Sequence, residues 1–264
     1  MLEVGSEAMI LTHDAMAEGV HWLPSQDMAD VAWKLVATNL SDLAAKGAEP
    51  LGVLLGYALG DSKEDARFVE GLREALEAFD VPLFGGDTIR SKGARSFGLT
   101  AIGRATHRPV PSRSGAQPGQ ALYVTGKLGA AMLGFEALRD KTGAESLAFR
   151  RPSPRLAEGR ALAPLVSAMM DVSDGLLLDA SRLAEASGVT LALDTQAVPI
   201  AAPENRRGDA LRWGDDYELL FTLPADTAPP CAATRIGEAI SSKASCLLLD
   251  GAPPASDEPL GYRH

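Results

Sequence analysis

A break in the middle of this chain constrains its fold more than any other feature. Residues 108–119 concentrate Pro, Gly, Ser and Arg with no apolar period, as a connecting segment does. On either side, short apolar runs alternate with stretches of helical spacing. With 264 residues in all, each half is long enough to bury its own core. The reading is two α+β domains, residues 1–110 and residues 111–264.

In the first half, residues 9–11 read as a short strand running into Thr12-His13-Asp14, which places Asp14 at a strand end. Residues 30–46 carry Val31, Leu35, Val36, Leu40 and Leu43 at helical spacing and stop at Gly47, an amphipathic helix with a glycine C-cap. Residues 50–59 read as a buried strand, 64–79 as a second helix, and 81–84 as a strand ending in a ligand loop, Gly85-Gly86-Asp87-Thr88. Residues 96–103 alternate as a further strand. In the second half, strands are expected at 120–126, 168–172, 191–193 and 218–223, with helices at 128–138, 155–165 and 175–187. Pro152-Ser153-Pro154 breaks the chain between them, and the tail is rich in Pro and Gly. No internal repeat is present.

Composition narrows the function. An apolar fraction of 46% and a charged fraction of 23% are those of an ordinary globular protein. A formal charge of -10 without a Lys/Arg cluster argues against nucleic acid and anionic membrane as partners. The longest apolar stretches contain glycine and are too short to span a bilayer. Cys231 and Cys246 are the only cysteines; they lie far apart and lack metal-ligand spacing, which fits a reducing cytoplasm.

Chemistry is suggested by five aspartates in short Gly- or Ser-flanked segments: Asp14, Asp42, Asp87, Asp171 and Asp174. Carboxylates are hard ligands for Mg²⁺, which commonly bridges a few of them to substrate phosphates, so the acids imply a nucleotide. Asp42 is the most telling, because it rides on a mostly apolar helix where a buried carboxylate requires a cation or a hydrogen-bond donor. Gly85-Gly86-Asp87 taken alone reads first as turn chemistry, although paired glycines also let backbone N–H groups approach phosphate. Asp174 suits either a helix cap or a metal. Arg113 is either a solvated linker charge or a phosphate grip, His21 reads alone as a packing residue, and Trp213 is expected to pack. No Walker-type phosphate loop, zinc pattern or Ser-His-Asp arrangement occurs.

Taken in order, residues 14–22 (Asp-Ala-Met-Ala-Glu-Gly-Val-His-Trp), 39–48 (Asn-Leu-Ser-Asp-Leu-Ala-Ala-Lys-Gly-Ala), 85–88, 113–119, 123–126, 171–176 (Asp-Val-Ser-Asp-Gly-Leu) and 214–221 (Gly-Asp-Asp-Tyr-Glu-Leu-Leu-Phe) resemble the thiamine-monophosphate kinase family. Several of these segments are shared with the wider superfamily of aminoimidazole ribonucleotide synthetase. The resemblance implies ATP-dependent phosphorylation of thiamine monophosphate to thiamine diphosphate, with several Mg²⁺ ions and a homodimer. It implies an N-terminal sheet pairing across that dimer and a C-terminal α/β sandwich. By motif, Thr12, Asp14, Asp42, Asp87, Asp171 and Asp174 are expected as metal ligands, and Gly86, Asp87, Arg113 and Ser173 as ATP contacts. His21, Asp215 and Tyr262 are expected to hold the substrate. No residue is expected as a general base, because the acceptor phosphate is already nucleophilic.

Three departures from the family pattern stand out. His13 replaces a small hydroxyl residue, and Asp215 stands where many relatives carry Glu. Relatives also have a Gly-Asp-Asp-Ala-Ala-like turn upstream of the point where Met1 stands. One metal-binding Asp fewer is therefore expected, with lower activity than a chain carrying that turn. The alternatives are a catalytically impaired nucleotide-binding dimer and another ATP-using enzyme of the superfamily.

Overall fold

The computed structural model describes residues 2–90 and 93–262. The first half forms β1 (Leu2–Val4), β2 (Glu7–Ala17), α1 (Met28–Ala44), β3 (Ala48–Leu59), α2 (Ser62–Phe79), β4 (Leu83–Arg90) and β5 (Ser96–Ala105). Its sheet has the order β1-β2-β5-β3-β4. All neighbours are antiparallel except β3 and β4, and α2 supplies the long crossover that a parallel pair needs.

Alternation along the strands decides the two faces. Phe97, Leu99 and Ala101 of β5 point to the core with Val53 and Tyr57 of β3. Trp22, Tyr57, Phe68 and Phe97 form an aromatic cluster there, with ring centroids 4.5 to 5.2 Å apart. On the opposite face, Leu11, Leu54 and Phe84 are exposed. His13 belongs to that outer face, its Nδ1 2.9 Å from Thr100 Oγ1 across the strand pair. It therefore points away from Thr12 and Asp14.

Asp27 starts α1 by accepting from Ala29 N at 3.0 Å. The helix is buried almost all round, with Val31, Leu35, Val36, Leu40 and Leu43 fully enclosed, because it packs on the sheet, on α2 and on the second domain. By contrast, α2 buries one side only, through Phe68, Gly71, Leu72 and Ala75. Gly71 allows the two helices to touch backbone to backbone: a Cβ there would lie 2.1 Å from Ala29 O.

The second half forms β6 (Ala121–Thr125), α3 (Ala130–Arg139), α4 (Leu147–Arg150), α5 (Leu156–Leu162), β7 (Ala168–Val172), α6 (Leu176–Ser187), β8 (Thr190–Leu193), α7 (Arg207–Arg212), β9 (Glu218–Leu223), β10 (Ala233–Ile240) and β11 (Leu247–Leu249). The sheet order is β11-β8-β10-β6-β9-β7. Every residue of β7 and β9 is buried, since both faces of the sheet are covered. Met170 and Leu220 face α6. Met169, Leu219 and Phe221 face α5 and the end of α1, where Ala44 and Ala45 join their cluster. This is the expected sandwich, and its core continues into the first domain.

The structure corrects two local expectations and adds two strands. Strand β2 extends through Ala17, so Asp14 lies inside a strand and not at its end. Gly85-Gly86-Asp87-Thr88 is not a ligand loop but the body of β4. Gly86 is required by strand approach, since a Cβ would fall 1.9 Å from Leu55 O. Strands β10 and β11 were not legible, because β10 carries a register shift between Arg235 and Gly237 that breaks its alternation.

Helix α3 shows how the second domain caps its buried ends. Gly129 has no side chain to cap with, so Asp216 accepts from Gly129 N at 2.8 Å and from Ala131 N at 3.5 Å. Burial pushes this carboxyl up to about 7 from 3.8; the two N–H groups only partly offset it, and Glu218 and Asp215 add to it. Between those values the folded chain holds a proton that the unfolded chain has released, so stability falls as pH rises through the window. Asp216→Asn is expected to remove that slope. Urea unfolding at about pH 4.5 and about pH 8 is expected to show wild type losing on the order of 2 kcal/mol relative to the variant. At the α1–α2 contact, Gly71→Ala is expected to lower stability by about 2 kcal/mol or more, because backbone overlap outweighs the better helix propensity of Ala. The same unfolding measurement reads it.

Candidate active site

A cavity of about 640 Å³ opens between the two domains. The first domain lines it with Asp14, His21, Thr38 and Asp42, and the second with Phe135, Phe149, Asp171, Ser173, Asp174, Trp213, Asp215 and Tyr217. Pro259, Gly261 and Tyr262 of the tail close one side.

One end of the cavity is acidic. Asp14 is held by its own backbone N–H, which donates to Asn39 Oδ1 at 2.9 Å, while Asn39 Nδ2 anchors to Leu35 O on α1. Thr12 Oγ1 donates to Asp42 Oδ2. The neighbouring Ser41 crosses to the second domain and donates to Asp171 Oδ2 at 2.7 Å. Asp171 is buried, and desolvation first, then the like charge of Asp42, pushes its carboxyl up to about 7. Two cations lie nearby. Lys46 is depressed by burial and then by Arg113, against the opposing pull of Asp42 and Asp171.

The loop between β7 and α6 is shaped from beneath by Asp179. This fully buried carboxylate accepts from Ser173 N at 3.1 Å and Asp174 N at 2.9 Å, and burial pushes it up to about 6. Arg182 Nη1 bridges Asp174 Oδ2 at 2.5 Å and Asp179 Oδ1 at 2.8 Å. Among the described residues, no three His, Cys, Asp or Glu side chains converge into a ready-made metal cage. The donor set nevertheless suits Mg²⁺, which binds through one or two carboxylates and completes its shell with phosphate and water. A cation between Asp42 and Asp171 would relieve their repulsion.

The other end is aromatic and precisely anchored by hydrogen bonds. Phe135 contacts Phe149 and Trp213 with centroids 5.3 and 5.2 Å apart, so Trp213 packs as expected and also lines the cavity. His21 Nδ1 accepts from Ala17 N at 3.0 Å, which assigns the proton of the neutral ring to Nε2. Asp215 sits at φ 66. Its carboxylate accepts from Tyr217 OH at 2.9 Å and from Lys34 Nζ at 2.8 Å. The tail is strapped across this end, with Tyr262 N donating to Asp174 O at 2.9 Å and Arg212 Nε to Pro259 O at 3.1 Å.

Of the residues singled out from the sequence, Asp14, His21, Asp42, Asp171, Ser173, Asp174, Asp215 and Tyr262 line this one cavity, and Thr12 joins them through Asp42. Gly86 and Asp87 do not. They are exposed on β4, where Asp87 pairs with Gly56 and accepts from Thr88 N at 2.8 Å. Arg113 is not among the lining residues, although its charge reaches Lys46. Sequence reasoning missed Lys34, Lys46, Phe135, Phe149 and Asp179. A signal existed for Lys34 and Asp179, since each interrupts an apolar helical run where a charge needs a partner.

Comparison with known proteins agrees with this geometry. Residues 1–105 match the AIR synthase related protein N-terminal domain and residues 117–245 the corresponding C-terminal domain. Thiamine-monophosphate kinase of Salmonella typhimurium is 38% identical over 83% of this chain and 72% of its own. That of Escherichia coli K12 is 35% identical over 98% of this chain and 87% of its own. The solved structure of AaThiL complexed with AMPPCP and TMP superposes with a TM-score of 0.87 and 29% identity, covering 100% of this chain and 89% of that one. With both halves matched and the relatives aligned across them, this chain belongs to the thiamine-monophosphate kinase family of AIR synthase related proteins.

Proposed function

We propose that this kinase transfers the γ-phosphoryl group of ATP directly and in line to the phosphate of thiamine monophosphate, giving thiamine diphosphate. The observation that carries the reading is one cavity lined by carboxylates from both domains, Asp14, Asp42, Asp171 and Asp174, together with aromatic rings and fixed polar groups. Named relatives support the substrate pair, since they are thiamine-monophosphate kinases and the similar AaThiL structure is complexed with AMPPCP and TMP.

Asp14, Asp42, Asp171 and Asp174, with Thr12 bracing Asp42, would hold several Mg²⁺ ions. Held there, Mg²⁺ would supply charge screening between the two polyanions. The chain's own residues do the positioning. Ser173 lines the cavity on a loop whose amides Asp179 takes up from beneath, and Lys46 and Arg113 place positive charge beside the Asp42–Asp171 end. Phe149, Trp213 and Tyr262 offer faces to the cationic thiamine rings, and His21 and Asp215 hold the acceptor's polar groups. No side chain needs to take a proton from the acceptor phosphate.

The exposed apolar face of the first sheet, with Leu11, Leu54 and Phe84, suits pairing with a second copy, which makes the working unit a homodimer. The chain divides at 110/111 into its two domains. Among the described residues no helix is long and apolar enough to cross a membrane, and a cytoplasmic location fits the substrates.

The test is release of ADP from ATP and excess Mg²⁺, with and without thiamine monophosphate. Stimulated release with thiamine diphosphate formed one for one supports the reading. Nucleotide binding with no turnover would replace it with a silent nucleotide-binding protein. Asp42→Asn is expected to keep the far-UV spectrum and lower turnover about 100-fold or more, since loss of even an outer-shell partner weakens a metal site by about 10- to 100-fold.

A further inference from the structure

Lys34 is a buried lysine behind the wall of this cavity. Its side chain is 1% exposed. Nζ donates to Asp215 Oδ2 at 2.8 Å and to His21 O at 3.1 Å, and lies 3.8 Å from the ring centroid of Phe149. An ammonium has three N–H donors, and two oxygens plus one aromatic face account for all three. Lys34 is therefore not available as a ligand for substrate.

Its three partners come from three separate segments: the turn after β2, helix α4, and the loop before β9. His21, Phe149 and Asp215 each line the cavity. Lys34 itself is on α1, which also carries Asp42 eight residues on, a rise of about 12 Å along a helix of about 1.5 Å per residue. One rigid helix thus ties the aromatic end of the cavity to the acidic end at a set distance.

We infer that Lys34 is the positioning residue for the acceptor: it holds His21, Phe149 and Asp215 in register with the carboxylates of α1, and so sets which acceptor spans the site. This deepens the proposed function and rests on it where the acceptor is concerned. Asp215 is the partner through which most of the effect runs. It occupies a left-handed backbone conformation, and Lys34 is the only cation bonded to it among the described residues.

Lys34→Met keeps the length and apolar stem of the side chain and removes the ammonium. The expected result is a KM for thiamine monophosphate raised about tenfold or more, with the KM for ATP within about twofold of wild type. In an Asp215→Asn background the same substitution is expected to change the acceptor KM by less than about twofold, because the two residues act as a unit. Amide hydrogen exchange is expected to quicken about tenfold in residues 18–22 and 213–217, and not in α6. Equal rises in both KM values, additive effects in the double variant, or unchanged exchange would each overturn the inference. Should Lys34→Met fail to fold, Asp215→Asn against the double variant decides the matter by the same twofold criterion. If wild type does not turn over thiamine monophosphate, the functional reading fails, and the exchange measurement still decides whether Lys34 holds the two segments.

Discussion

The structure depends on a buried helix with a polar stripe. Helix α1 is enclosed by its own sheet, by α2 and by the second domain, yet Asp30, Lys34, Thr38 and Ser41 recur along it at intervals of four, four and three residues. That spacing puts them on one face. Buried polar groups require partners, and most of these lie across the domain boundary. Arg150 and Arg151 meet Asp30, Asp215 meets Lys34, and Asp171 meets Ser41. Trp33 Nε1 adds a bond to Pro152 O at 3.0 Å. An apolar interface tolerates sliding, whereas this one is defined by directional bonds, so the width of the cavity is set with the same accuracy as the helix itself.

That arrangement explains how the acidic end tolerates its own charge. Asp42 and Asp171 come from different domains and repel each other, and desolvation adds to the penalty on Asp171. The compensation is local. Thr12 and Ser41 each donate to one carboxylate, Arg182 neutralises Asp174, and Asp179 takes up the loop amides so that the carboxylates do not fold back onto them. Side chains behind and between the carboxylates thus carry much of the organisation.

Much of the fold and site was legible because local chemistry and tertiary role coincide. Helices α1 and α2 announce themselves through apolar spacing, α1 also through the glycine at its end, and Asp42 stands out as a carboxylate in an apolar run. The Asp171-Val172-Ser173-Asp174-Gly175 turn joins a buried strand to a helix with no room for ambiguity. Illegible features depend on partners remote in sequence. The extent of β2 is set by pairing with β5, and the two glycines of β4 look like a loop until β3 lies beside them. Phe149 sits in a four-residue helix too short to show a period. Lys34 was visible as an anomaly, but its role appears only when His21 and Asp215, thirteen residues before it and 181 after it, are brought to one ammonium.

The division of labour along α1 follows from what each end must do. An acceptor that is already anionic needs screening and alignment more than proton abstraction. In the proposed reaction Asp42, in the last turns of the helix, serves screening, where the negative end of the helix also favours a cation. Alignment falls to the N-terminal half, where a lysine with all three donors committed locks three walls. Exchanging these roles would fail on physical grounds. A carboxylate at position 34 would face Asp215 without a cation between them. In the proposed reaction the order of charges along one helix therefore runs from the nucleotide side at Asp42 to the acceptor side at Lys34.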